Sequence, residues 1–97
     1  MQKLTVFYLN GCPYCRKARE AVEALLAEDP AFKEVEMEWI EETECAEVAD
    51  SYDYYRVPSI FLGREKLYEC SPADDYETIK QNFECAMRTG LRSPRSF

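Results

Sequence analysis

A chain of 97 residues makes one small domain, and an apolar fraction of 46% with 13% aromatic residues excludes a disordered protein. The net charge of −7 argues against nucleic acid or an anionic membrane as a partner, and no apolar stretch approaches the roughly 20 residues of a membrane span. Five cysteines without a recognisable signal peptide favour the reducing cytoplasm, where thiols are catalytic or simply buried.

The first predicted elements are a strand and a helix. Residues 4–9 are apolar on both alternating faces, which is typical of a central strand covered on both sides. Asn10-Gly11 turns the chain, and Pro13 suits the first turn of a helix because its missing N–H costs nothing there. Apolar residues at helical spacing continue this helix up to Asp29-Pro30, where it is expected to end.

The middle of the chain predicts an edge strand and a short helix. Glutamates at positions 34, 36 and 38 alternate with Val35, Met37 and Trp39, so one face is buried and the other is wet. A row of carboxylates suits the edge of a sheet, since it discourages pairing with another chain. Residues 42–50 are predicted to form a second helix with Thr43 as its N-cap.

The last predicted elements are a hairpin and a helix. Residues 59–62 and 66–70 are predicted strands joined by a turn at Gly63-Arg64. The final helix carries an apolar stripe from Tyr76 to Met87 and is expected to stop at Gly90, which leaves residues 1–90 as the domain and residues 91–97 as a disordered tail. The order β-α-β-α-β-β-α predicts an α/β fold, with a four-stranded mixed sheet and helices on both faces.

The segment Cys12-Pro13-Tyr14-Cys15 carries the clearest chemistry. It lies where the first strand passes into the first helix, and the unpaired N–H groups of a helix start stabilise a thiolate. Cys12 is therefore the candidate nucleophile, with Arg16 and Lys17 as additional positive charge nearby. Cys15, one turn into the helix, is the candidate resolving thiol. The pair predicts thiol–disulfide exchange through a redox-active disulfide.

Other interpretations of the cysteines remain open. The pair is alternatively two inert core residues, or half of a zinc site. A zinc site would have to recruit Cys45, Cys70 or Cys85, none of which forms a second C-x-x-C, and the chain has no histidine. Cys85 is expected to be partly exposed on the last helix, a second redox role for Cys70 or Cys85 stays open, and Cys45 is expected to be incidental.

A second candidate region precedes the third strand. Val57-Pro58 precedes that strand, and a trans peptide bond is the commoner case before a proline at a strand start. A cis bond would leave backbone groups of Val57 free to pair with an extended substrate. Arg56 is either a solvated loop residue or a group that holds a substrate carboxylate or favours the Cys12 thiolate. Tyrosines at 52, 54 and 55 pack the second helix against the sheet or line the groove that leads to Cys12.

These two motifs together resemble the glutaredoxins of the thioredoxin superfamily. A strand that ends in C-P-Y-C at a helix start, followed later by a strand that begins at V-P, is the pattern, and the resemblance runs over residues 3–89. It implies that Cys12 is the nucleophile and Cys15 the resolving thiol. It also implies that Tyr14 is a wall of the site and that Pro58 is a cis-proline facing Cys12.

The chain departs from the glutaredoxin pattern on the glutathione side. Glutaredoxins commonly carry lysine where this chain has Leu9, and threonine where it has Arg56. Their G-G-x-D segment, which holds the glutamyl end of glutathione, is replaced by residues 69–75. Within that segment Ser71, Asp74 or Asp75 is left to meet an amine at the start of the last helix.

The resemblance implies a dithiol–disulfide oxidoreductase that reduces protein or glutathione mixed disulfides. It implies no metal and no tightly bound cofactor, glutathione as a candidate co-substrate, a reductase system as electron source, and a cytoplasmic monomer. The expected substrate-binding residues are Tyr14, Arg56, Val57, Pro58, Ser71 and Asp74. The competing hypotheses are an iron–sulfur or metal carrier in which two chains join their Cys12 thiolates, and a scaffold that only docks partners.

Overall fold

The computed structural model describes residues 3–92. In chain order the elements are β1 (Leu4–Tyr8), α1 (Pro13–Glu28), a 3-10 helix (Pro30–Glu34), β2 (Met37–Glu41), α2 (Ala46–Asp50), β3 (Ser59–Leu62), β4 (Glu65–Glu69) and α3 (Tyr76–Arg92). The predicted order of strands and helices is therefore confirmed.

The four strands form one mixed sheet in the order β2-β1-β3-β4. β1 runs parallel to β2, with Val6 opposite Trp39, and antiparallel to β3, with Val6 opposite Ile60. β3 and β4 form the predicted antiparallel hairpin. The central place of β1 and the edge place of β2 agree with the apolar run in the first segment and the glutamate alternation in the second.

The sheet is covered on both faces, which accounts for the unbroken apolar run of β1. Leu4 and Val6 belong to the larger core, where α1 and α3 pack together with residues such as Phe83. Phe7 points to the other face and packs with Phe61 and with Ala49 of α2. Because side chains alternate along a strand, neighbouring residues of β1 serve two cores. The predicted α/β fold with helices on both faces is confirmed.

α2 is shorter than predicted, and Thr43 is not its N-cap. The helix begins at Ala46, after Cys45 at the N-cap position. The Thr43 hydroxyl and backbone N–H instead donate to the Glu41 carboxylate, which also accepts from the Glu44 N–H. The prediction was wrong because this carboxylate holds the preceding residues in a turn and delays the helix.

Gly90 does not stop the last helix, which continues to Arg92. Gly90 is buried, and a Cβ on it would lie 3.3 Å from Val35 Cγ1 and 3.5 Å from the Leu4 side chain. This glycine therefore serves the close approach of α3 to the core rather than a helix end. Leu91 and Arg92 are helical, which corrects the tail prediction for them, and residues 93–97 lie outside the described residues. No helix within residues 3–92 is long and apolar enough to cross a membrane.

Candidate active site

Cys12 and Cys15 lie at the start of α1, one half-buried and one buried. Cys12 is the N-cap residue, with an extended backbone and a side chain that makes no capping hydrogen bond. Its N–H donates to the Leu9 carbonyl at 3.2 Å, and its carbonyl accepts from the Arg16 N–H at 3.1 Å. Cys15, one turn later, is 3% exposed. The thiol that the sequence indicates as nucleophile is therefore the more accessible of the two.

Burial controls the ionisation of the second thiol. Desolvation raises the pKa of the Cys15 thiol to about 12, and interactions with the neighbouring Cys12 and Cys70 thiols act in the same direction. Cys15 therefore stays protonated at neutral pH. A reaction that uses its sulfur must remove the proton as the new bond forms.

An open hollow of about 400 Å³ borders both motif cysteines. The turn that contains Leu9 forms one side of this hollow, and Arg16 and Arg19 of α1 form the other. The Arg19 guanidinium lies 4.9 Å from the ring centre of Tyr8 and 4.4 Å from that of Trp39, so two aromatic faces hold it. Glu20 and Glu23 also border this hollow, so charges of both signs lie beside the thiols.

A second hollow, of about 250 Å³, brings together four of the predicted substrate-binding residues. We call it the cis-proline groove, since the Val57-Pro58 peptide bond beside it is cis, in agreement with the resemblance. The Cys70 N–H donates to the Pro58 carbonyl at 3.0 Å and ties the proline to the end of β4. The residues that line the groove are Tyr14, Glu42, Tyr55, Arg56, Val57, Cys70, Ser71 and Pro72.

Tyr14 forms one wall of this groove. Its hydroxyl donates to the Pro72 carbonyl at 2.9 Å, which joins the start of α1 to the loop after β4. Lys17 lies 5.6 Å from the centre of the same ring. The tyrosine of the motif therefore fixes the spacing between the cysteine helix and the groove.

Glu69 organises the loop that carries Arg56. Its Oε2 accepts from the backbone N–H groups of Tyr55 at 2.8 Å and Arg56 at 2.6 Å, and its Oε1 accepts from Lys66 at 2.7 Å. Desolvation opposes ionisation of this carboxyl, but these hydrogen bonds prevail and the pKa of Glu69 is lowered. The Arg56 side chain is exposed and forms no ion pair with residues 3–92.

The segment in place of the family's glycine pair is held by its own carboxylates. Asp74 Oδ2 accepts from the Ser71 N–H at 3.0 Å and from the Tyr68 hydroxyl, while Asp75 Oδ1 accepts from the Thr78 N–H at 2.9 Å. Ser71 borders the cis-proline groove, but Asp74 does not. Asp74 therefore shapes the turn that presents Ser71.

Glu41 is a residue of the site that the sequence interpretation missed. It is 5% exposed and ends β2, and its Oε2 accepts from the Asn10 N–H at 2.9 Å. This hydrogen bond, followed by those from Thr43 and Glu44, lowers the pKa of Glu41 to about 2. The carboxylate thus fixes the turn that leads into Cys12. A signal was present, since position 41 continues the buried phase of positions 35, 37 and 39.

The remaining cysteines differ in their surroundings. Cys70 is 2% exposed and borders the cis-proline groove, and burial raises its pKa. Cys45 and Cys85 are exposed, as expected for Cys85. Within residues 3–92 no group of three or more cysteine, aspartate or glutamate side chains is placed to hold a metal ion, and nothing there supports the zinc or metal-carrier alternatives.

Comparison with known proteins gives a consistent assignment. A family model described as thioredoxin domain matches residues 2–69. Glutaredoxin-1 of Oryctolagus cuniculus is 32% identical in an alignment of 76 residues that covers 71% of this chain and 67% of the relative. Glutaredoxin-1 of Sus scrofa is 31% identical in an alignment of 93 residues that covers 89% of this chain and 80% of the relative.

A solved structure shares the fold at low sequence identity. A mutant thioredoxin from Halobacterium salinarum NRC-1 matches with a TM-score of 0.58 and 20% identity, over 95% of this chain and 76% of that one. The family match, the curated relatives and the sheet order agree with one another. The chain therefore belongs to the glutaredoxin/thioredoxin superfamily, and its relatedness to glutaredoxins supports a thiol–disulfide oxidoreductase family.

Proposed function

We propose that this protein is a dithiol–disulfide oxidoreductase that reduces protein or glutathione mixed disulfides through Cys12 and Cys15. One observation carries the proposal: an accessible thiol at the start of α1 lies one turn from a buried thiol, and Tyr14 between them borders the cis-proline groove. The accessible sulfur is suited to attack a substrate. The buried sulfur is protected from substrate and is suited to react within the protein.

In the first step the Cys12 thiolate attacks one sulfur of a substrate disulfide. A new disulfide forms between Cys12 and that sulfur, the substrate disulfide breaks, and the second substrate sulfur leaves with the electron pair and takes up a proton. The N–H groups at the start of α1 stabilise the attacking thiolate, and Pro13 contributes none of them.

In the second step Cys15 attacks the Cys12 sulfur of the mixed disulfide. The Cys12–Cys15 disulfide forms and the bound substrate leaves as a thiol. Because the pKa of the Cys15 thiol is about 12, its proton departs during attack, and the leaving substrate thiolate is the natural acceptor. An external thiol or a reductase system then supplies two electrons and two protons to restore both thiols.

The cis-proline groove is the proposed substrate site. The backbone of Val57 pairs with an extended substrate, the exposed Arg56 guanidinium holds a substrate carboxylate, and Ser71 is placed at the far side of the groove. Glutathione and cysteine-containing protein segments share this chemistry. The proposal includes a cytoplasmic monomer that holds no cofactor tightly.

The test is turnover of a mixed disulfide of glutathione, recharged in parallel by glutathione with its reductase and by a thioredoxin reductase. Cys12→Ser abolishes activity in both systems, whereas Cys45→Ser, a matched change at an exposed cysteine, leaves it unchanged. Cys15→Ser retains only reactions that need one thiol. Full activity of Cys12→Ser would overturn the proposal, and the faster of the two systems identifies the electron donor.

A further inference from the structure

Tyr55 is an exposed aromatic residue at the edge of the cis-proline groove. It is 88% exposed, whereas Tyr52 and Tyr54 each lie 4.8 Å from the ring centre of Phe7 and belong to the smaller core. The three tyrosines that are neighbours in the sequence therefore have different surroundings. Two pack the sheet, and the third presents its ring to solvent.

The backbone beneath this ring is fixed. The Tyr55 and Arg56 N–H groups both donate to Glu69, and the Ser59 hydroxyl donates to the Arg56 carbonyl. A ring held by a fixed backbone loses less conformational freedom on binding than one on a mobile loop. Tyr55 is therefore suited to contact a ligand rather than to fill space.

Tyr55 separates the cis-proline groove from a neighbouring hollow of about 450 Å³ beside α2, which we call the α2 hollow. Tyr55 and Glu42 border both hollows, and Asp50 borders the α2 hollow alone. Neither carboxylate forms an ion pair with residues 3–92, although Glu42 accepts from the Tyr54 hydroxyl at 2.7 Å. A peptide that extends beyond the groove on this side would meet the Tyr55 ring and then the acidic hollow.

We propose that Tyr55 is a specificity-determining residue, whose ring contacts a protein disulfide substrate beyond its cysteine and favours an arginine or lysine side chain there. A cation over a tyrosine face is attracted by the ring, and Glu42 and Asp50 add complementary charge in a protein of net charge −7. The inference rests on the proposed function, because it requires a substrate bound through Cys12.

The experiment measures a competition for Cys12 in the Cys15→Ser protein, where mixed disulfides accumulate. Two peptides with one cysteine each, identical except for arginine or glutamine at one position, are equilibrated with the protein in a glutathione redox buffer. The position is moved through the three residues on either side of the cysteine. Mass spectrometry after proteolysis locates the adducts on Cys12 and gives their ratio, separately from adducts on the exposed Cys45 and Cys85.

We expect the arginine peptide to be favoured by about two- to five-fold at one or more positions, the size of an exposed cation–π contact. Tyr55→Ala reduces the ratio to near one, and Tyr55→Phe retains it. Asp50→Asn lowers the ratio, whereas Glu47→Gln, a matched change of an exposed carboxylate on the same helix outside the α2 hollow, does not.

The outcomes separate the two proposals. If Cys12 forms no mixed disulfide with either peptide, the proposed function fails. If Cys12 forms both mixed disulfides, but the ratio is one at every position or is unchanged in Tyr55→Ala, the specificity proposal fails while the proposed function stands. Circular dichroism of Tyr55→Ala is expected to match the parent protein, because the ring is exposed.

Discussion

The ionisation of the Cys15 thiol is the most direct measure of how strongly burial acts at the candidate active site. The perturbation is removal of the competing thiol by Cys12→Ser, followed by labelling of Cys15 with iodoacetamide in the folded and the urea-unfolded protein. At pH 8 a thiol with a pKa of about 12 is ionised in roughly one molecule in 10,000, against roughly one in 10 for the ordinary value of 9.0. Since the thiolate is the reacting species but a thiolate of higher pKa is the stronger nucleophile, folding should slow labelling by roughly 30-fold or more.

The pH dependence distinguishes a raised pKa from simple steric protection. In the folded variant the labelling rate should rise about tenfold per pH unit through pH 10, because the thiolate fraction rises in that proportion. In urea it should level off near pH 9. Removal of Cys12 preserves most of the effect, because desolvation is its largest cause. The exposed Cys85 serves as an internal reference for the reagent.

A folded-state profile for Cys15 that levels off below pH 10 would refute this reasoning. It would show that the thiol ionises readily despite being 3% exposed. The resolving step would then begin from a standing thiolate rather than from a thiol that loses its proton during attack. Mass spectrometry of the labelled Cys15 peptide provides the measurement.

Three further predictions concern stability. Because the folded pKa of Cys15 exceeds the unfolded value, its contribution is full below pH 9 and falls by about 1.4 kcal/mol per pH unit above it. Urea titration should therefore find a steeper loss in the parent protein than in Cys15→Ala, where the raised pKa of Cys70 still contributes a loss. For Glu41 the pH dependence is opposite: with a pKa of about 2, its contribution to the free energy of unfolding is full above pH 4.5 and is lost as the pH falls toward 2. Acid unfolding of Glu41→Gln should lack this component, and identical pH profiles of the two proteins would contradict the role of the carboxylate. Gly90→Val should lower the free energy of unfolding by about 1–3 kcal/mol, since a Cβ at this position lies 3.3 Å from Val35. The control Cys85→Val, at an exposed position of α3, should lower it by under about 1 kcal/mol, and equal losses in the two variants would contradict the packing argument.

The sequence predicts the elements of this fold well, because their signals are local. The two-sided apolar run of residues 4–9 and the glutamate alternation of residues 34–38 each report which faces of a strand meet the core. Two helix ends were predicted wrongly. Thr43 is typical of a helix start and Gly90 of a helix end. In the structure, however, the Thr43 hydroxyl donates to a carboxylate of β2, and Gly90 allows α3 to approach Val35 closely.

The placement of Cys12 and Cys15 at the start of α1 was also predictable, whereas the residues that hold the neighbouring loops were not. The C-x-x-C spacing indicates a pair of thiols one turn apart on any helix. By contrast, the bond from Asn10 to Glu41 spans 31 positions and that from Tyr55 to Glu69 spans 14, and no local spacing predicts either. Such contacts depend on which strands become neighbours in the sheet.

Those two carboxylates explain how a small sheet fixes both halves of the site. β2 and β4 are the two outer strands of the sheet. Each ends in a glutamate, and both glutamates lie at the end of the sheet where the carboxyl end of β1 lies. Glu41 holds the Asn10 turn before Cys12, and Glu69 holds residues 55–56 before the cis-proline. Glu69 accepts two backbone N–H groups from its loop, whereas Glu41 accepts one from Asn10 and two from the turn at residues 43–44. The hydrogen-bonded sheet therefore fixes the turn before Cys12 and the loop of residues 55–56 relative to each other.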